Sequence, residues 1–186
     1  MPGARDGDEA ANELVTLRDG SQVTVRTATA ADEPALRVLL EGLRPEALRM
    51  RFFTGAVDVP SAAHQEAALG EGRCGLVAHS ATGALVAHAF YSQIDPTRAE
   101  VAVEVSDHLH GRGLGTLLIE RLAELAERDG VTHFVAEVLP ENHAMLDVFR
   151  DGFDAHVRFH EGVDTVEFPT AAWRAADARF STNKRT

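Results

Sequence analysis

Residues 100–116 read EVAVEVSDHLHGRGLGT, and residues 117–130 continue as LLIERLAELAERDG. The first six positions have the composition and alternation of a β-strand. Gly111, Gly113 and Gly115 then mark a turn. Behind it Leu114, Leu117, Leu118, Leu122 and Leu125 recur at helical spacing until Gly130 stops the pattern. A strand, a glycine turn and a helix N-terminus in succession gather backbone N–H groups and make an anion site.

Which anion depends on the turn's chemistry. A Walker A loop ends in Gly-Lys-Ser/Thr, the lysine meeting the phosphates. Here Gly113-Leu114-Gly115-Thr116 contains no lysine, and that reading fails. A dinucleotide fingerprint needs G-x-G-x-x-G. Counted from Gly111, its sixth position is Thr116. Glu137 does fall about where the fingerprint's ribose-binding acid stands, but this turn follows antiparallel strands instead of opening a βαβ series. An isolated triple-glycine turn is more often a place of close packing than of a ligand, so the flanking sequence has to decide.

Upstream, LVTLRDGSQVTVRTA places two alternating runs, Leu14–Leu17 and Gln22–Arg26, around Asp19-Gly20, a hairpin whose two central residues can take positive φ. Residues 27–43 predict a helix with Leu36, Leu39, Leu40 and Leu43 as its stripe. Its start is either a Thr29–Asp32 capping box or Asp32 with Pro34 in the first turn. PEALRMRFF and SAAHQEAAL are two shorter helices. CGLVAHS, ALVAHAFYSQ and AEVAVEV are successive strands. After the long helix, HFVAEVL is a strand, ENHAMLDVFRDG a helix, and FDAHVRFHEG with DTVEFP a closing hairpin. The order β, helices, βββ, α, β, α, ββ is an α+β fold with a mixed, mostly antiparallel central sheet flanked by helices. The strands on either side of the long helix can pair in parallel. Residues 1–12 read as a flexible tail, 13–172 as a single domain, and 173–186 as a C-terminal tail with Trp173 as its large anchor.

The 186 residues carry a formal net charge of −11. That argues against general nucleic-acid binding and is compatible with a cationic substrate drawn to an acidic cleft. Lys184 is the one lysine of the chain. The lone Cys74 allows no intramolecular disulfide or cysteine metal site. With no secretory h-region and no apolar run near the ~18 residues of a membrane span, the expectation is a cytoplasmic protein.

His110-Gly111-Arg112-Gly113-Leu114-Gly115, preceded by Val103-Glu104-Val105, resembles the acetyl-CoA loop Gln/Arg-x-x-Gly-x-Gly/Ala of the GNAT superfamily of N-acetyltransferases. The resemblance continues through AELAERDGVTHFVAEVLPENHAMLDVFRDGF. Upstream, VTLRDGSQVTVRTATAADEPALRVLLEGL and RMRFF resemble the catalytic domain of bacterial protein-lysine acetyltransferases. It spans roughly residues 14–169 and reverses the preference for a ligand-free turn. It implies the GNAT fold and transfer of an acetyl group from acetyl-CoA to an amine, a protein lysine. It further implies that the main chain of Val103, Glu104 and Val105 binds the pantetheine arm. The N–H groups of Gly111, Arg112, Gly113, Leu114, Gly115 and Thr116 would hold the pyrophosphate, with the Arg112 guanidinium adding a bond to phosphate. Asn142 matches the family's pantetheine-binding asparagine; on its own it is equally an ordinary helix N-cap.

A lysine ammonium, pKa near ~10.4, must lose a proton before it attacks. Three strand glutamates stand as candidate bases. Glu100 matches the glutamate of protein-lysine acetyltransferases, and Glu137 that of N-terminal-amine acetyltransferases. Glu104 shares the face of Glu100 by alternation. Each is otherwise a solvated strand carboxylate. Many relatives protonate the departing thiolate with a tyrosine on the helix after Asn142; here that position is Phe149, and the only tyrosine, Tyr91, is on another strand. His110 replaces the motif's Gln/Arg, and Arg44-Pro45-Glu46-Ala47 stands where lysine-directed relatives carry serines. His79 and His88, in apolar strands, read as satisfied core residues, and no metal is expected. The alternatives are a small-amine acetyltransferase, for a polyamine or aminoglycoside, and a non-catalytic acyl-CoA sensor. The expected partners are acetyl-CoA and an amine acceptor, with no nucleic acid and no membrane, in a monomer or homodimer.

Overall fold

Two strands open the chain, β1 (Glu13–Thr16) and β2 (Gln22–Thr27). Only Gly20 of the turn between them takes positive φ, at 85°. Leu17 N–H bonds to the Ser21 carbonyl, and Gly20 N–H to that of Leu17. That is a type I turn over Leu17–Gly20 closed by a glycine bulge, so Leu17 belongs to the turn, and of the expected pair Asp19-Gly20 only Gly20 is left-handed. The computed structural model describes residues 12–172; most of the first tail and the segment with Trp173 lie outside the described residues.

The first helix starts later than the leucine stripe suggests. Thr27 still belongs to β2, a 3-10 turn covers Ala30–Asp32, and α1 runs Glu33–Glu41 with Pro34 in its first turn. Asp32 sets this boundary. Its carboxylate accepts from the Thr29 N–H at 2.8 Å and from both Nη atoms of Arg26 at 2.8 and 2.6 Å, which holds Thr29 extended. Two short helices follow, α2 (Pro45–Phe52) and α3 (Val59–Ala67). Then come β3 (Arg73–Ser80), β4 (Leu85–Gln93) and β5 (Arg98–Val105), the helix α4 (Leu114–Arg128), β6 (His133–Val138), α5 (His143–Phe153), and the closing pair β7 (His156–His160) and β8 (Val163–Pro169).

All eight strands form one sheet in the order β1-β2-β3-β4-β5-β6-β8-β7. Every neighbouring pair is antiparallel except β5 and β6, which are parallel across the α4 crossover. The closing hairpin docks by its second strand, so β8 lies inside and β7 is the edge. The sheet is the middle layer. Leu114, Leu118, Ile119 and Leu122 of α4 and Phe149 and Phe153 of α5 are buried against one face with Phe134 and Phe168. Leu36, Leu39 and Leu40 of α1 and Ala63 of α3 pack with Val77 on the other. Removing one such wholly buried leucine costs on the order of 2–5 kcal/mol, transfer plus cavity. Leu117 and Leu125, placed on the same stripe of α4 by spacing, are only partly buried. This packing fixes α4 to the sheet with its N-terminus at the ends of β5 and β6.

Candidate active site

Strands β5 and β6 pair only from Arg98 to Glu100 against His133 to Val135. Beyond that point β5 continues to Val105 against β4 alone, and β6 continues to Val138 against β8 alone. The two strands part and leave a wedge in the sheet. Which groups face it follows from the ladder. Ser106 N–H bonds to the Val86 carbonyl at 2.8 Å, and bonded and non-bonded pairs alternate in antiparallel strands. Even-numbered residues of β5 therefore exchange bonds with β4. Val101, Val103 and Val105 turn their N–H and C=O groups into the wedge. One of these is already used: His110 Nε2 donates to the Val105 carbonyl at 2.8 Å. The histidine that stands for the motif's Gln/Arg thus ties the glycine turn back to the strand.

Gly111 and Gly113 take φ of 74° and 87°, conformations that only glycine adopts readily. They bring the chain round so that α4 starts at the mouth of the wedge. The first ladder bond of the helix runs from Leu117 N–H to the Gly113 carbonyl. The amides of Leu114, Gly115 and Thr116 precede it, and the first turn contains no acidic residue. A helix N-terminus of this kind carries about half a positive charge. The side chain of Arg112 departs from expectation. It is ion-paired to Asp19 of the opening hairpin, 93 residues away in sequence, and is not among the residues lining the wedge. The neighbouring Arg18 is: a side chain placed on Gly113 would meet its Nε at 3.2 Å.

The wedge opens into a cleft of about 350 Å³. Glu100, Val103, Glu104, Val105, Gly111, Gly113, Leu114, Gly115, Thr116 and Asn142 all line it, as do Glu137 and Phe149. Residues from five separate elements thus meet in one place. Asn142 is the N-cap of α5, its Oδ1 accepting from Met145 N–H at 3.3 Å, which leaves its two Nδ2 donors for another acceptor. Phe149 is buried against Phe168, ring centroids 5.3 Å apart. The Tyr91 hydroxyl donates to Asp129 at 2.6 Å, away from the cleft, so no phenol reaches it.

The three glutamates have distinct surroundings. Glu100 is exposed and sits at the apex of the wedge, paired in register with Val135 of β6 and Ser92 of β4. Glu137, also exposed, is two residues past Val135 and faces the same side. Glu104 shares that face, as alternation requires, but its side chain is 2% exposed. It accepts from His88 Nδ1 at 2.5 Å and from Arg51 Nε at 3.1 Å. Arg51 Nη2 also donates to Glu66 of α3 at 2.6 Å, and Glu66 lies 3.6 Å from His88. Burial would lower the His88 imidazole, but Glu104 and then Glu66 override it and raise it to about 9. Burial would likewise raise Glu104, and His88 with Arg51 instead pulls it down to about 2. Glu66 is pushed up to about 7, first by burial and then by Glu104. A carboxylate held ionised as firmly as Glu104 takes a proton poorly at neutral pH.

Of this cluster, His88 was visible in the sequence as a core histidine and Glu104 as a strand acid. Glu66 and Arg51 were not anticipated. His79, expected in the core, is only half-buried. Ligand atoms of Glu66, His88 and Glu104 come within 4.8 Å of one another, a spacing that suits a cation. Arg51 and the protonated His88 already supply the positive charge there, and the group is an ionic network.

A family model described as the acetyltransferase (GNAT) family matches residues 43–153. Among solved structures, the GNAT domain of PAT from S. lividans aligns with a TM-score of 0.76 and 32% identity over 85% of this chain and 96% of that one. A cAMP-binding acyltransferase from Mycobacterium smegmatis aligns with a TM-score of 0.61 and 25% identity over 86% of this chain. It is about twice as long, and the match spans 47% of it. A Salmonella typhimurium protein solved with its cofactor acetyl-CoA shares the fold, with a TM-score of 0.61 at 22% identity over 79% of this chain and 92% of that one.

Proposed function

This chain belongs to the acetyltransferase (GNAT) family, whose members use acetyl-CoA, and on that premise we propose that it acetylates lysine side chains of proteins by direct attack, with Glu100 as general base. One observation carries the reading. The wedge between β5 and β6 has an exposed carboxylate at its apex, free strand amides along one side and a helix N-terminus at its mouth.

Each part has a chemical task. The amides from Gly111 to Thr116, strengthened by the α4 dipole, accept the pyrophosphate of acetyl-CoA. Val103 and Val105 pair through their main chains with the amides of the pantetheine arm, like an added strand. The Nδ2 donors of Asn142 hold a carbonyl of the same arm. Glu100, directly or through a water, takes a proton from the acceptor ammonium, and the free amine attacks the thioester carbonyl carbon. A β5 main-chain N–H near Val105 stabilises the developing oxyanion. The C–S bond then breaks. With Phe149 where a tyrosine would stand, the sulfur leaves as the thiolate or takes its proton from water. The nitrogen gives up a second proton to solvent as the intermediate collapses, so the products are the amide and either the thiol of coenzyme A with one released proton or its thiolate with two. Glu137 is the second candidate base, on the same face.

The test is mass spectrometry of candidate proteins and of small amines after incubation with acetyl-CoA, beside a thiol-release assay. The expected product is Nε-acetyl-lysine in protein. Acetylation of polyamines or aminoglycosides in preference to protein would replace the acceptor. Binding of acetyl-CoA by calorimetry without thiol release for any amine would make the chain a sensor.

A further inference from the structure

Helix α2 has no wholly buried residue. Ala47, Leu48 and Phe52 pack it partly against the core around α1 and α3, and ion pairs tie it over the cleft. Arg44 pairs with Asp107 at 2.9 Å and Arg49 with Glu141 at 2.7 Å, on the two sides of the wedge. Arg51 reaches down to Glu66 and Glu104. Its fork is only partly used. Nε and Nη2 are committed to the two carboxylates, and Nη1 has no partner among the described residues. The side chain keeps 20% of its surface open and lines the same cleft as Glu100. The rings of Phe52 and Phe90 lie 4.8 and 5.5 Å from its guanidinium carbon. The plane of the guanidinium is thus set by two ion pairs and two rings before any ligand arrives.

We propose that Arg51 is an acceptor-binding residue, its Nη1 edge receiving a carbonyl oxygen of the acceptor while Glu100 receives the amine. This rests on the acetyltransferase reading and narrows the acceptor. Arg51 and Glu100 lie on the sheet face opposite α4, so the guanidinium serves the acceptor and the helix N-terminus serves the phosphates. The stem and the oxygen together select the class of acceptor. Arg51 reaches in from Glu104, four residues along β5 from Glu100, and its guanidinium stays within electrostatic reach of the Glu100 carboxylate. A lysine in a peptide carries its Nζ about 6 Å from its Cα on a flexible stem, with carbonyls on either side of that Cα. A polyamine has the stem and no oxygen. The buried carboxylates keep the fork aligned, and rigid placement of a donor is what allows it to discriminate.

Two acceptors with the same stem test this: Nα-acetyl-lysinamide, which carries the carbonyls, and 1-aminopentane, which does not. The readout is the ratio of their kcat/KM values in the thiol-release assay. That ratio does not depend on the fraction of enzyme folded, so destabilised variants remain informative. The wild type prefers Nα-acetyl-lysinamide at least tenfold. Arg51→Lys, which keeps the buried charge but loses the fork, and Arg51→Gln both bring the ratio near one, mainly through the KM of the lysinamide. A wild-type ratio near one, or a ratio unchanged in both variants, overturns the role of Arg51 and leaves the acetyltransferase reading standing. Turnover of neither acceptor by the wild type, with no protein lysine modified, overturns both.

Discussion

Replacing Glu104 by Gln removes one negative charge from the buried network with almost no change of shape. His88 is wholly buried, and Glu104 is its partner at 2.5 Å. Breaking a buried charge pair in this way costs on the order of 3–5 kcal/mol. The sharper consequence is in the pH dependence. His88 is raised from 6.5 to about 9 on folding. A group raised in the folded state contributes stability that is fully present below its unfolded pKa and lost as pH rises through its folded one. The wild type therefore loses roughly 3 kcal/mol between pH 6.5 and 9 on account of His88. Glu66, raised from 4.5 to about 7, adds a decline at lower pH. Glu104, lowered to about 2, contributes stability that is present above 4.5 and lost only as pH falls through 2. In Glu104→Gln the main cause of that rise is gone and only Glu66 still opposes burial at His88, so its pKa falls and the limb from 6.5 to 9 flattens. Urea denaturation followed by circular dichroism reads this directly. At a slope of ~2 kcal/mol per molar, the wild-type midpoint falls by roughly 1.5 M across the window while that of the variant does not. Parallel pH profiles for the two proteins, or a flat wild-type profile, would refute the assignment of a charged His88–Glu104 pair.

Two further outcomes concern the cofactor end of the cleft. Gly113→Ala forces a side chain into a backbone at φ 87° and against Arg18 Nε at 3.2 Å. It costs about 1–2 kcal/mol of strain, and the misplaced amides weaken acetyl-CoA binding at least tenfold in calorimetry. Asn142→Asp keeps the oxygen that caps α5 and removes the Nδ2 donors. Its thermal stability stays within ~0.5 kcal/mol of the wild type, since Asp caps as well as Asn, while acetyl-CoA affinity falls; a fall in stability without a change in affinity would leave Asn142 a cap alone.

The fold was largely legible because its elements have clear periods. The leucine stripe of α4 and the alternation of β5 and β6 locate the crossover, and the glycines between them locate the turn. Boundaries failed where side chains set them: Arg26 and Asp32 hold the chain extended past Thr27, where the leucine spacing alone suggested a helix. The site was legible where it is local in sequence and illegible where it is not. Arg112 reads as a phosphate ligand, and its ion pair with Asp19, brought up by the opening hairpin, is invisible in the spacing. Arg18 reaches Gly113 by the same long-range approach, which no spacing announces. His88 and Glu104 lay within reach of sequence reasoning, since a hairpin turning near Asp95-Pro96 sets them opposite each other. Glu66 and Arg51 arrive from helices whose packing on the sheet only the tertiary structure reveals.

Glu100 at the apex of the wedge is the most exposed part of this account. Glu100→Gln, measured with acetyl-CoA and a lysine peptide, separates binding from chemistry. The expected result is an unchanged acetyl-CoA affinity in calorimetry with turnover lowered at least ~100-fold, the scale on which a general base acts, and undiminished turnover in that variant would contradict it and move the base to Glu137 or to water.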